Sequence, residues 1–382
     1  MLTLLPPIAI AFLVTLVFML ALRPFAINHG LVDIPGGRKT HVGEVPIVGG
    51  VAMFIGMLIG LVMVGDKIVV ALYLAVAAGL IVVIGLLDDR YGLSPIVRLC
   101  AQVTAVLIMV YGGGLVIQDI GNPIGLGEVD MGAAALIFTV LATLTVINGF
   151  NLVDGVDGLA GSLGFVALTA VAIVGGPSAS STLIAAIFSA SIVAFLIFNF
   201  PMNANRRVHS FMGDSGSTLI GMVIVWTTIS VSQGEERIAS PVICLWFASI
   251  SIYDLLTCTV RRLLKHRSPF RPGRDHFHHV LKSSGMGVRR VLGVLTGLQI
   301  LYASIGLMGH YAGVADAVMF ISWAILGLFQ YLILKTYSVS YRLTHRRKRR
   351  QQFAGAESVP QLASAESVQQ PDSSELVQQH RL

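Results

Sequence analysis

Long runs without a single charged residue follow one another along most of the chain, at 1–22, 45–65, 68–87, 99–118, 131–153, 158–205, 215–234, 238–253, 291–315 and 317–334. Crossing a bilayer as a helix takes about 20 apolar residues. The run at 158–205 is long enough for two such helices, and Gly175-Gly-Pro-Ser-Ala-Ser-Ser181 supplies the turn between them. The pattern therefore predicts an all-α protein, a polytopic membrane helix bundle with about eleven transmembrane helices. Helices are required because lipid leaves backbone amides and carbonyls without partners. The short alternating strands of a membrane barrel are absent from the pattern. The first run has no basic residue before it and no small-residue cleavage site before Arg23, so it is read as a span and not as a signal peptide.

Composition agrees with this reading. Hydrophobic residues make up 55% of the 382 positions and charged residues 12%, with a mean hydropathy of +0.79. Soluble domains carry about 25% charged residues. The net charge of +6 would suit nucleic acid, but its distribution points elsewhere. With eleven spans, 24 of the 26 lysines and arginines fall in loops on one face or in the tail, and only Lys67 and Arg237 on the other. The positive-inside rule puts the basic face in the cytoplasm and the N-terminus in the periplasm of a bacterial inner membrane. No nucleic acid is implied. Residues 1–336 form the expected transmembrane domain, with cytoplasmic loops at 23–46, 88–98, 148–160, 199–216 and 260–290. Residues 337–382 read as a basic, then polar, unstructured tail. Cys100, Cys244 and Cys258 lie in apolar stretches without ligand spacing and are read as packing residues.

The aspartates Asp33, Asp88, Asp89, Asp154, Asp157, Asp214, Asp254 and Asp275 all fall on the basic face. Several sit among glycines, as in Gly85-Leu-Leu-Asp-Asp-Arg90, Asp154-Gly-Val-Asp-Gly158 and Met212-Gly-Asp-Ser-Gly216. Acids at the hydrocarbon boundary are costly unless paired or metal-bound. Oxygen ligands favour Mg2+ or Mn2+ over zinc. Any one acid could equally be a helix cap. The glycines let amides approach an anion, and the run Ser268-Pro-Phe-Arg-Pro-Gly-Arg-Asp-His-Phe-His-His279 adds arginines suited to phosphate oxygens. Its histidines lack the further ligands of a zinc site, so hydrogen bonds to a diphosphate are the preferred reading. A cation held by carboxylates, a basic clamp and access from lipid suit phosphoryl transfer between a soluble anion and a lipid. An ion- or lipid-coupled transporter is the alternative from another class, although transporters hold their charges near the bilayer midplane.

These stretches, with Gly30-Leu-Val-Asp-Ile-Pro35, Arg38-Lys-Thr-His41, Val48-Gly-Gly50 and Asn148–Gly158, resemble the bacterial polyprenyl-phosphate N-acetylhexosamine-1-phosphate transferases over residues 30–280. The resemblance is strongest to the branch acting on UDP-GlcNAc and undecaprenyl phosphate, which initiates O-antigen and related surface glycans. It implies roles by position. Asp214 and Asp157 would hold the metal. Asp88 and Asp89 would position or deprotonate the lipid phosphate, and all four count as catalytic candidates. Arg274, His276, His278 and His279 would meet the diphosphate, and Asn151 and Asp154 would shape the nucleotide pocket. Asp33, Arg38, Lys39 and His41 match a first-loop motif in the substrate site. Gly92 stands where relatives often carry a third acid. Another UDP-N-acetylhexosamine or a muramoyl-pentapeptide donor stays open, as does direct attack against a covalent intermediate. A homo-oligomer packed through Gly56 and Gly60 stays open too, with packing inside one chain the simpler use of that pair.

Overall fold

The computed structural model describes residues 5–33, 43–64, 68–177, 179–201, 208–235, 237–266, 268 and 276–357. Its helices are α1 (Leu5–Asn28), α2 (Gly49–Val62), α3 (Ile68–Tyr91), α4 (Pro95–Tyr111), α5 (Ala135–Val153), α6 (Leu159–Gly175), α7 (Ser180–Asn199), α8 (Gly213–Ser232), α9 (Pro241–Phe247), α10 (Ser249–Leu263), α11 (Phe277–Ser283), α12 (Val288–Tyr311) and α13 (Asp316–Glu357). Two short antiparallel strands, β1 (Val32–Asp33) and β2 (Val45–Pro46), pair Asp33 with Val45.

Each of the ten apolar runs holds helix, the run at 158–205 holding both α6 and α7, and the chain is a polytopic helical membrane protein. Among the described residues, seven helices are long and apolar enough to cross a bilayer, and α9 with α10, bent by 87°, makes an eighth when the pair is counted as one span. The helices α2, α4 and α6 are shorter, at 14, 17 and 17 residues. A helix rises about 1.5 Å per residue, so these three fall short of the full hydrocarbon thickness.

The helix α8 forms the centre of the bundle. It is buried on nearly every side and packs against α2, α3, α5, α6, α7 and α9. The outer helices α1 and α13 show Leu13, Val17, Leu20, Ile321, Ile325 and Leu328 to the surroundings, as lipid-facing helices do. With no hydrophobic drive between helices in lipid, close packing relies on small residues. Gly56 lies against Ala11, Thr15 and Ser191, and Gly60 against Ile187, Ala11 and Pro7. This small-residue pair is therefore used inside the chain.

Local sequence sets the helix ends near the site. Ser94 and Ser240 each cap a helix whose next residue is proline, the combination that starts a helix with fewest lost hydrogen bonds. The break between α9 and α10 has neither Pro nor Gly, and Gln299 of α12 supplies its missing partners. Its amide nitrogen donates to the Phe247 carbonyl at 2.7 Å, and its oxygen accepts from the Ile250 N–H at 3.0 Å. The sequence predicts a straight span ending at 253. Instead α10 runs to Leu263 and buries Asp254, Thr257, Cys258, Arg261 and Arg262, because these residues fall on its inward stripe. Asp254 is thus inside a helix and not in the loop beyond it.

The chain divides into one compact unit at 1–335 and a second at 336–382. The backbone of 337–357 continues α13 as helix where the sequence suggests an unstructured tail, since no proline and one glycine interrupt good helix formers there. Residues 358–382 lie outside the described residues.

Candidate active site

The site is assembled where the ends of α3, α4, α5 and α8 meet. Asp88 and Asp89 lie in the last turn of α3, the end whose dipole opposes a negative charge. Each is compensated from outside its own helix. Asp88 accepts the Leu93 N–H at 2.7 Å and an Arg98 N–H at 2.8 Å. Asp89 reaches across to α8, where it accepts the Asp214 N–H at 2.8 Å and the Ser215 N–H at 3.4 Å. It acts as the cap of a helix 125 residues away in sequence.

Two glycines make this junction possible. Gly213 has a φ of 71°, and a Cβ there would meet Asp89 Oδ2 at 2.3 Å and Ile47 Cγ2 at 2.4 Å. A Cβ on Gly85 would strike the Ser215 backbone at 2.4 Å, so this glycine lets α3 and α8 touch main chain to main chain. Gly92, the position of the absent third acid, has a φ of 64° and donates its N–H to the Asp88 carbonyl at 2.8 Å. It ends α3 in the left-handed conformation that glycine adopts most readily.

Asp214 opens α8, where the dipole favours an anion. It accepts an Asn151 side-chain N–H at 2.9 Å, and Asn151 also donates to Ser217 Oγ at 3.1 Å. Arg98 lies 3.4 Å from Asp214 and 2.8 Å from Asp88, bridging the two acids. Asp154 follows the last turn of α5. Burial, then the charges of Asp214, Asp89 and Asp157, push its carboxyl well above the usual carboxylate range, although part of its surface still meets solvent. The loop that carries Asp154 and Asp157 is tied down by Asn199, which accepts the Gly158 N–H at 2.7 Å and donates to the Ser210 carbonyl at 2.9 Å.

The structure thus brings Asp88, Asp89, Asn151, Asp154, Asp157 and Asp214 into one electrostatic cluster. Asp33 stands on the β1–β2 pair, which a bridge from Ile47 to Phe211 joins to the segment leading into α8. His278 is buried against Gly155, within the acidic loop, and His276 is buried against Asp254. His279, beside His278, is partly exposed. Arg38, Lys39, His41 and Arg274 lie outside the described residues. An apolar cavity between α5, α8, α9 and α13 lies toward Ile117, Ile120 and Gln233 and has no carboxylate or histidine in its lining, so it is separate from the acids.

Arg98, Ser217, Asn199 and Asp254 are contributors that motif reading missed. Arg98 did carry a signal. It is a cation in the first turn of an apolar helix, where the dipole disfavours it, so its retention calls for a partner.

The donors fit a hard divalent cation in chemistry: aspartate oxygens and an amide, buried and crowded enough to raise the carboxyl of Asp154. Among the described residues no three acids, histidines or cysteines are arranged as an all-protein cage. Magnesium is commonly held by one or two carboxylates, with water and substrate phosphates completing the shell. The residues present suit that mode.

Comparison with known proteins agrees with this geometry. The model of glycosyl transferase family 4 matches residues 71–232, which span α3 to α8 and hold every member of the cluster. The undecaprenyl-phosphate alpha-N-acetylglucosaminyl 1-phosphate transferase of Yersinia pestis is 34% identical over 322 residues, covering 83% of this chain and 86% of the relative. That of Escherichia coli K12 is 35% identical over 344 residues, covering 89% and 93%. The Salmonella typhi protein is 33% identical over 362 residues, covering 92% and 97%. With its motifs on one surface and relatives matched along nearly their whole length, the chain belongs to glycosyl transferase family 4.

Proposed function

We propose that the protein transfers GlcNAc-1-phosphate from UDP-GlcNAc to undecaprenyl phosphate, releasing UMP and forming undecaprenyl-diphospho-GlcNAc, as the first membrane step of O-antigen or a related surface glycan. The observation that carries this reading is the meeting of Asp88, Asp89, Asp154, Asp157 and Asp214 at one end of an apolar bundle whose relatives bear that name. An oxygen of the lipid phosphate attacks the β-phosphorus of the nucleotide. The bond from that phosphorus to the bridging oxygen breaks, and UMP leaves with that oxygen.

The second pKa of a phosphate monoester is about 6, so the lipid phosphate is largely dianionic at neutral pH and needs little help from a base. The protein's task is to position two anions and screen their repulsion. In this reading Arg98, held between Asp88 and Asp214, offers the attacking phosphate a positive charge. Asn151 orients Asp214. Asp214 and Asp157 would hold Mg2+ or Mn2+, which supplies charge neutralisation at the diphosphate. Direct in-line attack is preferred because the two acids at the end of α3 are both engaged as hydrogen-bond acceptors and not presented as free nucleophiles. The eleven-span topology, with periplasmic N-terminus, cytoplasmic site and a transferase domain at 1–336, belongs to the same proposal.

Purified protein in detergent should release UMP when given both substrates and Mg2+, and should stop on chelation. Turnover without any gradient separates this reading from a transporter. A panel of UDP-sugars tests the donor. Absence of UMP release with every donor would overturn the assignment.

A further inference from the structure

Asp254 belongs to no motif named above, yet among the described residues it is the most enclosed carboxylate. It lies in α10, is 1% exposed, and uses both oxygens. Oδ1 accepts the Phe277 N–H at 2.7 Å, and Oδ2 accepts the Nδ1–H of His276 at 3.0 Å. The other ring nitrogen of His276 faces Cys258 Sγ at 3.9 Å, and the residue is 4% exposed. Burial works against a charged ring, but the hydrogen bonds to Asp254 and Cys258 outweigh it and bring the pKa to about 10. Both ring nitrogens are therefore committed inside the protein. His276 has no donor left for a substrate phosphate.

His278, two residues on, is different. It is 2% exposed, and neither ring nitrogen has a hydrogen-bond partner among the described residues. Burial, then His279 and His276, hold it well below the usual histidine range, so the ring is neutral. It packs against the acidic loop. A Cβ on Gly155 would come within 2.3 Å of His278 Nε2. The ring thus rests on the peptide between Asp154 and Asp157. Its stacking with His276, at 6.0 Å between centroids and 8° between planes, continues the line back to Asp254.

We infer that Asp254 is a positioning residue for the transfer reaction: through His276 and the Phe277 amide it fixes the start of α11, and through His278 it sets the position of the Asp154–Asp157 loop. His276 then belongs to a buttress and not to the substrate's ligands. The inference rests on the function proposed above, because that function gives the loop its substrate. Removing one end of a buried charged pair is costly, whereas an amide can keep the shape. Asp254→Asn retains an acceptor for the Phe277 N–H and offers an N–H to a neutral His276.

The test uses full-length protein in nanodiscs. Asp254→Ala should raise the KM for UDP-GlcNAc about tenfold and leave the KM for undecaprenyl phosphate within about twofold, since the loop faces the nucleotide. Asp254→Asn should recover most of that loss. Gly155→Ala, which displaces His278 from the other side, should reproduce the change, and the double variant should be little worse than either single one. Hydrogen exchange at the Phe277 amide should speed up in Asp254→Ala and stay slow in Asp254→Asn and in Gly155→Ala. Additive effects of the two substitutions, or unaltered exchange at Phe277, would overturn the inference. So would a fall in turnover with both KM values unchanged, which would put the carboxylate among the reacting groups. If the wild type releases no UMP, the proposed function fails, and the exchange measurement still reads the buttress.

Discussion

At the end of the bundle away from the aspartate cluster, Arg237 donates to Asp119 and to Glu128, each at 2.7 Å. Asp316 accepts from Ser240 Oγ at 2.7 Å and from the Asn122 N–H at 3.0 Å, and Asp130 accepts the Gly132 N–H at 2.8 Å. Four acids are satisfied there by one arginine and local donors. At the other end, five aspartates crowd together. Asp154 is repelled by three of them, and no hydrogen bond to it is found among the described residues. The opposite end uses its charges to close a loop. The cluster crowds its acids until Asp154, buried among them, resists ionisation, an arrangement suited to a site for a cation and two phosphorylated substrates. Stability and function are thus written in the same residue type and separated by how closely the acids crowd one another.

The largest effect should come from the member of the cluster that serves several partners. Asp214→Asn should lower UMP release by about a thousandfold, the scale seen when an electrostatic contact to a transition state is lost. The melting temperature should hold or rise, because repulsion is relieved. Activity near that of the wild type would remove Asp214 from the chemistry, and with it the contrast between the two ends. Arg98→Ala should come next, with a loss of about a hundredfold in turnover, and Arg98→Lys should restore part of it, as an ammonium replaces a guanidinium whose Nη1 reaches both acids. Equal loss in both variants would mean that the shape of the guanidinium matters and the charge does not.

Substitution at the opposite end should give the reverse signature. Asp316→Ala leaves the Asn122 N–H and the Ser240 hydroxyl without an acceptor. An unsatisfied polar group costs about 1–3 kcal/mol, so the melting temperature should fall by several degrees while the kinetic constants of the remaining folded protein stay unchanged. A changed KM for UDP-GlcNAc in that variant would join the two ends functionally and break the comparison.

Much of this was legible in the chain itself, and the gaps have physical causes. Apolar runs located the helices of the bundle, seven of them long enough to cross a bilayer, because lipid imposes one strong constraint on composition. The glycine-flanked aspartates converged as expected because Gly85 and Gly213 let α3 and α8 meet. The break between α9 and α10 was invisible, since its compensating group, Gln299, lies about 50 residues downstream in an otherwise apolar helix. Asp254 looked like the end of a span because burial depends on which face of α10 it occupies, and hydropathy averaged along the chain does not resolve a face. Asp89 reads as catalytic by motif, and its contact with α8 makes it a cap, a use that only the tertiary structure reveals.

The smallest effect concerns pH. Folding holds a proton on Asp154 more tightly than the unfolded chain does, because burial and the neighbouring charges raise its pKa. Between the ordinary carboxylate range and that raised value, the folded state binds more protons than the unfolded state. Stability must then fall as pH rises through this window, since the slope follows the difference in bound protons. Water still reaches part of the side chain, so the effect should be modest, about 3 °C in melting temperature measured in detergent with divalent ions removed. Asp154→Asn should flatten that fall, and Asp316→Asn at the opposite end should leave it in place. If the slope survives in Asp154→Asn, the repulsion is shared among the other acids of the cluster, and the crowding there belongs to the group as a whole.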